Sequence, residues 1–398
     1  MAKTTNNYQT TIAIDTVRST FHFYSMADND PATISHTVKS YTGKLFDEDF
    51  FSKFKDAVKE FVDESPSEGM RKVTMILPDS AVLTDTIKMP TIKGFGQMKK
   101  AFEASLSALY RNYRDLRISS YAADQNKQYS TFVISAVQNN IVSQTYGALV
   151  EHKLLVDTLT YSSGATVAGA TLMNPKLRSA TFLLLDVKDV YSRFTFVVGG
   201  RAVGFYTVPF GLEFLKKPSV IGEDMLFDHS YAELTVLNAK EKAKAKKLTL
   251  KAAADEADEA TFDFEVGAEE EAVEVAISPS GKTFRKTPRR LPKFMLRDIP
   301  ETPEGIAYEN FRVFVKWALT LIDSNKKLTE LGAPEFVSVN IPEELSFLID
   351  KANEEMGGSE GAISFSLLPT AEAAPIVAAN LELYGGLFSK QINPAVKL

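Results

Sequence analysis

The 398-residue sequence contains no cysteine, which excludes disulfides, thiol nucleophiles and thiolate metal sites and is compatible with a reducing compartment. Histidine is scarce. His22, His36, His152 and His229 show no ligand spacing such as two on one helical turn, so isolated surface or core roles are expected and no metal site. No segment approaches about eighteen uninterrupted apolar residues, and the opening MAKTTNNYQT is polar behind its one lysine, so neither a membrane span nor an export signal is expected. A surplus of positive charge is missing too: 45 Lys and Arg stand against 51 Asp and Glu, which gives no general attraction to nucleic acid or an anionic membrane. Neither a Gly-x-Ser-x-Gly elbow nor a P-loop occurs.

What is present is an ordinary globular composition, 44% hydrophobic and 24% charged, in a chain longer than one hydrophobic core usually supports. Two major domains are therefore expected. The organising stretch is 180–211, ATFLLLDVKDVYSRFTFVVGGRAVGFYTVPFG. Its apolar run ends in Asp186, a polar turn leads into Phe194, Phe196 and Val198, and Gly199-Gly200 turns the chain into a third run. This reads as a three-stranded meander whose first strand is buried on both faces. A weaker copy, TTIAIDTVRSTFHFYSM, places Asp15 where the meander has Asp186. The chain thus reads as two related halves, each opening with strand, Asp, turn, strand.

In the first half, strands over 10–14, 19–24 and 33–40 precede a helix over 47–64, where Phe50, Phe54, Val58 and Phe61 recur at helical spacing, and a strand over 73–77. Residues 79–160 read as an inserted α+β subdomain, with strands over 83–89, 118–123, 130–137 and 154–159 and helices over 95–113 and 140–153. Residues 1–78 and 161–179 make the first core. Residues 180–238 and 293–398 make the second, with helices over 305–325, 343–356 and 371–384 and strands over 336–341 and 363–367. The stretch 239–292 carries blocks of lysine, then of acid, then of base, and is expected to be a highly charged, partly mobile, β-rich subdomain. The expected fold class is α/β with mixed α+β subdomains, two duplicated domains and an insertion.

The repeated strand-Asp-turn-strand, LPDSAVLTDTIKMP opening the insertion, and AAPIVAANLELYGG followed by QINPAV resemble the actin-like (ribonuclease-H-like) ATPase superfamily, and within it the PilM-type pilus-assembly and FtsA-type cell-division proteins. The resemblance implies a magnesium nucleotide site to which Asp15, Ser19, Asp186 and Ser192 correspond. It also implies a glycine two residues after each Asp and a Gly-Gly turn after Val339, because backbone N–H groups must approach the phosphates there. This sequence has Val17, Lys188 and Asn340-Ile341-Pro342 at those places. A β-branched valine resists left-handed turn geometry, and the lysine side chain fills space a phosphate would take.

Two readings stay open. In the first, the chain is a non-catalytic cytoplasmic adaptor with no cofactor, no catalytic residue and no metal. It is then a pseudo-ATPase scaffold of the type IV pilus, secretion or cell-division kind, able to self-associate. It meets the inner face of the membrane through the cytoplasmic tail of an inner-membrane protein, seated between the first core and the 79–160 insertion as an added strand. In the second, it is an active actin-like ATPase or sugar-kinase-like phosphotransferase using Mg-ATP at Asp15, Ser19, Asp186 and Ser192. The missing glycines favour the first.

Overall fold

Two five-stranded sheets with the same strand order form the body of the protein. The computed structural model describes residues 8–28, 30–64, 71–110, 113–125, 128–208, 211–216, 300–323, 325–357, 363–368 and 380–387. The charged stretch 239–292 and most of the helix expected over 371–384 lie outside them, as do 223–231 and 231–246, which the sequence also reads as helices.

The first half holds strands β1 (Tyr8–Asp15), β2 (Thr20–Ala27), β3 (Ser35–Ser40) and β4 (Arg71–Leu77), then β5 (Leu83–Pro90), β6 (Leu116–Gln125), β7 (Tyr129–Gln138) and β8 (Leu154–Tyr161). The second holds β9 (Thr181–Val187), β10 (Ser192–Val198), β11 (Arg201–Val208), β12 (Phe336–Asn340) and β13 (Ser364–Leu367). The sheets run β3-β2-β1-β4-β8 and β11-β10-β9-β12-β13. Each is an antiparallel meander whose first strand is extended by two parallel neighbours. This is the duplicated, actin-like arrangement that the repeated strand-Asp-turn-strand predicts.

Parallel strands need crossover helices, and these come from amphipathic segments. Helix α1 (Glu48–Glu64) buries Phe50, Phe54, Val58 and Phe61 against the first sheet, with Glu48 and Asp49 in its first turn. Its counterpart in the second half is Pro303–Asp323, which buries Phe311, Phe314, Val315, Ala318 and Ile322. Helices on the sheet faces explain why β9 reads as a continuous apolar run: six of its seven residues are buried. Gly199 and Gly200, at φ 56° and 72°, make the left-handed turn between β10 and β11 that the Gly-Gly pair predicts.

The inserted unit departs from the expected 79–160. Its own sheet is antiparallel β5-β7-β6 only. Leu154 to Tyr161 pair in parallel with Arg71 to Leu77, so β8 extends the first sheet, and helix α3 (Asn139–Glu151) packs on α1 and β8. The apolar residues of β8 are buried through this pairing, not within the insertion. Helix α2 (Phe95–Leu109) ends four residues before the expected 113. Tyr110 turns extended there, and its buried hydroxyl donates to Asp85. The inserted sheet also reaches the second half, where Arg201 lies 4.7 Å over the Tyr121 ring and Lys327 Nζ is 2.6 Å from Asp85 Oδ1.

The C-terminal assignment also needs correction. Leu381–Leu387 is helical, but this helix packs on α4 (Ser162–Met173), β1 and β4 of the first half rather than joining the second core. Glycine is what lets it approach so closely: a Cβ on Gly385 would stand 1.9 Å from the Ala165 carbonyl oxygen, and one on Gly169 2.2 Å from that of Leu381. Among the described residues, no helix is long and apolar enough to cross a membrane.

Candidate functional site

The C-terminal ends of β1, β4, β9 and β12 converge between the halves, and a cavity of about 510 Å³ opens there. In open α/β sheets this is where side chains on loops can meet a ligand without being consumed by strand pairing.

One wall is the β1–β2 turn. Asp15 Oδ1 accepts the backbone N–H groups of Val17 (2.9 Å) and Arg18 (3.0 Å), which fixes the turn through its own side chain. The left-handed residue is Ser19, φ 53°, so Val17 is spared the geometry that its branched side chain resists. The opposite wall is the β9–β10 turn. Lys188 Nζ folds back to 3.2 Å from Asp186 Oδ2, and Asn340 Nδ2 donates to Asp186 Oδ1 at 2.7 Å. Arg18 Nη2 reaches Asp189 Oδ2 at 3.0 Å and joins the two turns. Both of its partners are well exposed, so this link orders the rim and is worth about 0–1 kcal/mol.

The floor is a buried ion cluster. Arg193, opposite Asp186 in the β9–β10 register, contacts Asp79 Oδ2 (2.9 Å), Glu382 Oε2 (3.2 Å) and Thr166 Oγ1 (2.9 Å). Asp79 also accepts the Ser163 N–H and hydroxyl, and Glu382 the Ser162 hydroxyl at 2.7 Å. Burial pulls the Arg193 pKa down, but Asp79 and then Glu382 outweigh it and raise it well above its ordinary value. The cluster ties β10 of the second half to the β4–α4 region of the first and to the C-terminal helix.

Beside Asp15 stands a stack of rings. The β2–β3 register sets Tyr24 opposite His36, with His22 diagonal to it on the same face. Tyr24 and His36 stack at 4.1 Å between centroids, His22 and His36 at 5.2 Å, and His22 Nδ1 lies 3.0 Å from His36 Nε2. The expectation of isolated histidines fails here because the strands bring two of them together. The His36 residue is exposed on the edge strand β3, yet partial desolvation of its ring in the stack, and then the neighbouring His22, hold it down to about 4. Burial lowers His22 as well, although Asp15 opposes it. The unfolded chain therefore binds a proton at His36 that the folded chain refuses between about pH 6.5 and 4. Stability is expected to fall as pH drops through that window and to level off below it. Denaturant titration across the window should show a shallower slope in His36→Gln; an unchanged slope would mean that the ring is freely protonated in the fold.

Of the four residues matched to the nucleotide site, Asp15 lines the cavity, whereas Ser19, Asp186 and Ser192 are not among the described residues of its wall. Asp186 is fully buried behind Lys188 and Asn340, and Ser192 is fully buried within β10. Sequence reasoning missed Arg193, Asp79, Glu382 and the ring stack. The signal for the cluster was available: a charged residue inside SRFTFVV and another inside ANLELYGG, both otherwise apolar contexts. Among the described residues no three His, Asp or Glu are placed to hold a metal ion.

No family model and no curated protein matches the sequence. Among solved structures, the chain is similar to a chain of the PilM-PilN type IV pilus biogenesis complex, with 12% identity, 96% of each chain covered and a TM-score of 0.49. It is also similar to the cytoplasmic domain of EpsL, an inner-membrane component of the type II secretion system of Vibrio cholerae (9% identity, 61% of this chain and 95% of that one, TM-score 0.34). A third similar structure is MreB 5 of Spiroplasma citri bound to AMPPNP (7% identity, 97% of each chain, TM-score 0.38). At these identities and scores the likeness carries no functional argument, and the weight rests on the strand order. The fold, with its twice-used order of meander and two parallel strands, is the actin-like one.

Proposed function

We propose that the chain is a non-catalytic adaptor of actin-like fold, in which internal ion pairs stand where the resemblance of the sequence implies a nucleotide site. It would carry the cytoplasmic tail of an inner-membrane protein into a bacterial pilus or secretion machine. One observation supports the first part: the cations of the cleft are already engaged by carboxylates. Arg18 faces Asp189, Lys188 faces Asp186, and Arg193 faces both Asp79 and Glu382. A triphosphate needs free donors and open backbone, and a magnesium nucleotide does not fit residues arranged in this way. The partner class rests on the PilM-type resemblance of the sequence. Its seat is proposed between the first sheet and the β5-β7-β6 sheet, where an extended segment could add to a strand edge.

Titration calorimetry of the full chain with Mg-ATP is expected to show no saturable binding. A dissociation constant below about 10 μM, roughly 7 kcal/mol, would end the adaptor reading in favour of an active ATPase or phosphotransferase. For the partner, hydrogen exchange is compared with and without the membrane protein recovered by pull-down from the native cell. Protection should fall on the first half; protection confined to the second would remove the proposed seat.

A further inference from the structure

We infer that the cavity between the halves is a binding site for an organic cation, an ammonium or guanidinium group. The inference rests on the non-nucleotide reading of the cleft and adds a ligand class to it. Four observations converge. First, about 510 Å³ lies within the range of built small-molecule sites, about 300–1,000 Å³, and has both polar and apolar walls. Second, the charge balance selects the sign. Asp15, Asp79, Asp189, Glu343 and Glu382 line the cavity with Asp186 behind them, against Arg18, Lys188 and Arg193. Among the described residues, carboxylates remain in excess once those three cations are matched.

Third, one carboxylate oxygen is poised for a ligand. The Asp15 side chain is only 11% exposed, and its Oδ1 is used by the Val17 and Arg18 N–H groups. Its Oδ2 has, among the described residues, just the His22 ring in ion-pair range, at 3.9 Å. That ring is lowered below its ordinary pKa and brings no positive charge at neutral pH. Oδ2 therefore offers a cavity-lining acceptor that an ammonium or guanidinium group could pair with. Fourth, the uncharged rings of His22 and His36, stacked on the buried Tyr24, line the cavity beside Asp15, which suits a weakly hydrated organic cation better than a small metal ion. A carboxylate and a ring edge side by side on one wall make a receptor for such a group.

The group could come from a free amine or from a lysine or arginine of the partner's tail, since cytoplasmic segments beside membrane spans are rich in both. Agmatine, which carries a guanidinium and an ammonium, is the free probe, and a short Arg- and Lys-containing peptide is the other. Calorimetry on the full chain at low salt is expected to show saturable agmatine binding. Asp15→Asn should weaken it at least tenfold and Glu343→Gln by a smaller factor, with His36→Leu also weakening it. Glu343 is exposed on the rim, so its variant remains informative even if Asp15→Asn does not fold. Binding of the peptide in competition with agmatine assigns the group to a partner's side chain; agmatine binding without peptide binding assigns it to a free amine. Failure of agmatine to bind, equal binding by both variants, or the same signal from magnesium ion at matched ionic strength overturns the inference. If agmatine fails and Mg-ATP fails too, the adaptor reading stands and only this inference falls; saturable Mg-ATP binding removes both.

Discussion

Replacing Arg193 with methionine is expected to cost about 3–5 kcal/mol of stability, because it leaves Asp79 and Glu382 buried with no cation between them. The side chain is 5% exposed, so water cannot take over the role of the guanidinium. Methionine keeps most of the length and volume, so the loss reports the charge and not a cavity. Urea denaturation measures it directly. Neutralising the partners together, as R193M with D79N and E382Q, should recover much of the loss, since no buried charge is left and the amides can still bond the hydroxyls of Ser162, Ser163 and Thr207, accepting through oxygen and donating through nitrogen. A loss under about 1 kcal/mol for R193M alone would show that the cluster hydrates freely and that the halves are not tied through it.

Gly385→Ala is expected to destabilise by about 3 kcal/mol or more, the upper end of overpacking effects. The added methyl would sit 1.9 Å from the Ala165 carbonyl oxygen and 2.7 Å from the Gly169 nitrogen, both backbone atoms that cannot rotate away. Relief requires that the C-terminal helix lift from α4, which would disturb Glu382 and the ion cluster next to it. Gly147→Ala, in α3, is the control. Nothing stands within 4 Å of its added methyl, so it should stabilise by about 0.5–1 kcal/mol through helix propensity alone. The two variants compared in one denaturation series separate close packing from propensity; equal effects would refute the account of the helix contact.

Much of the fold was legible in local pattern. The apolar run ending in Asp186, its copy ending in Asp15, and the Gly199-Gly200 turn are short-range signals, since period and turn chemistry act over a few residues. Helix α1 was legible for the same reason: its phenylalanines recur on one face. The insertion boundary was not. Whether Leu154 to Tyr161 pairs within the insertion or with β4 is decided by a contact some eighty residues away, and an apolar strand satisfies either sheet. Nor could pattern place the last helix, whose sequence says that it is helical but not which half its glycines let it touch.

The candidate site divides in the same way. By itself the sequence determined which chemistry is excluded, since a chain without cysteine, without a P-loop and without glycine at Val17 and Lys188 has lost those groups whatever its fold. It also determined that Asp15 and Asp186 end equivalent strands, because strand ends follow from local hydrophobic runs. Only the tertiary structure decided that Asp186 is sealed behind Lys188 and Asn340 while Asp15 faces the cavity. It alone brought Arg193 to Asp79 and Glu382, residues 114 and 189 positions away, and set His22 against His36. Ion pairs and ring stacks depend on distances of a few ångströms, and between residues far apart in the chain those distances are set by sheet register and helix packing.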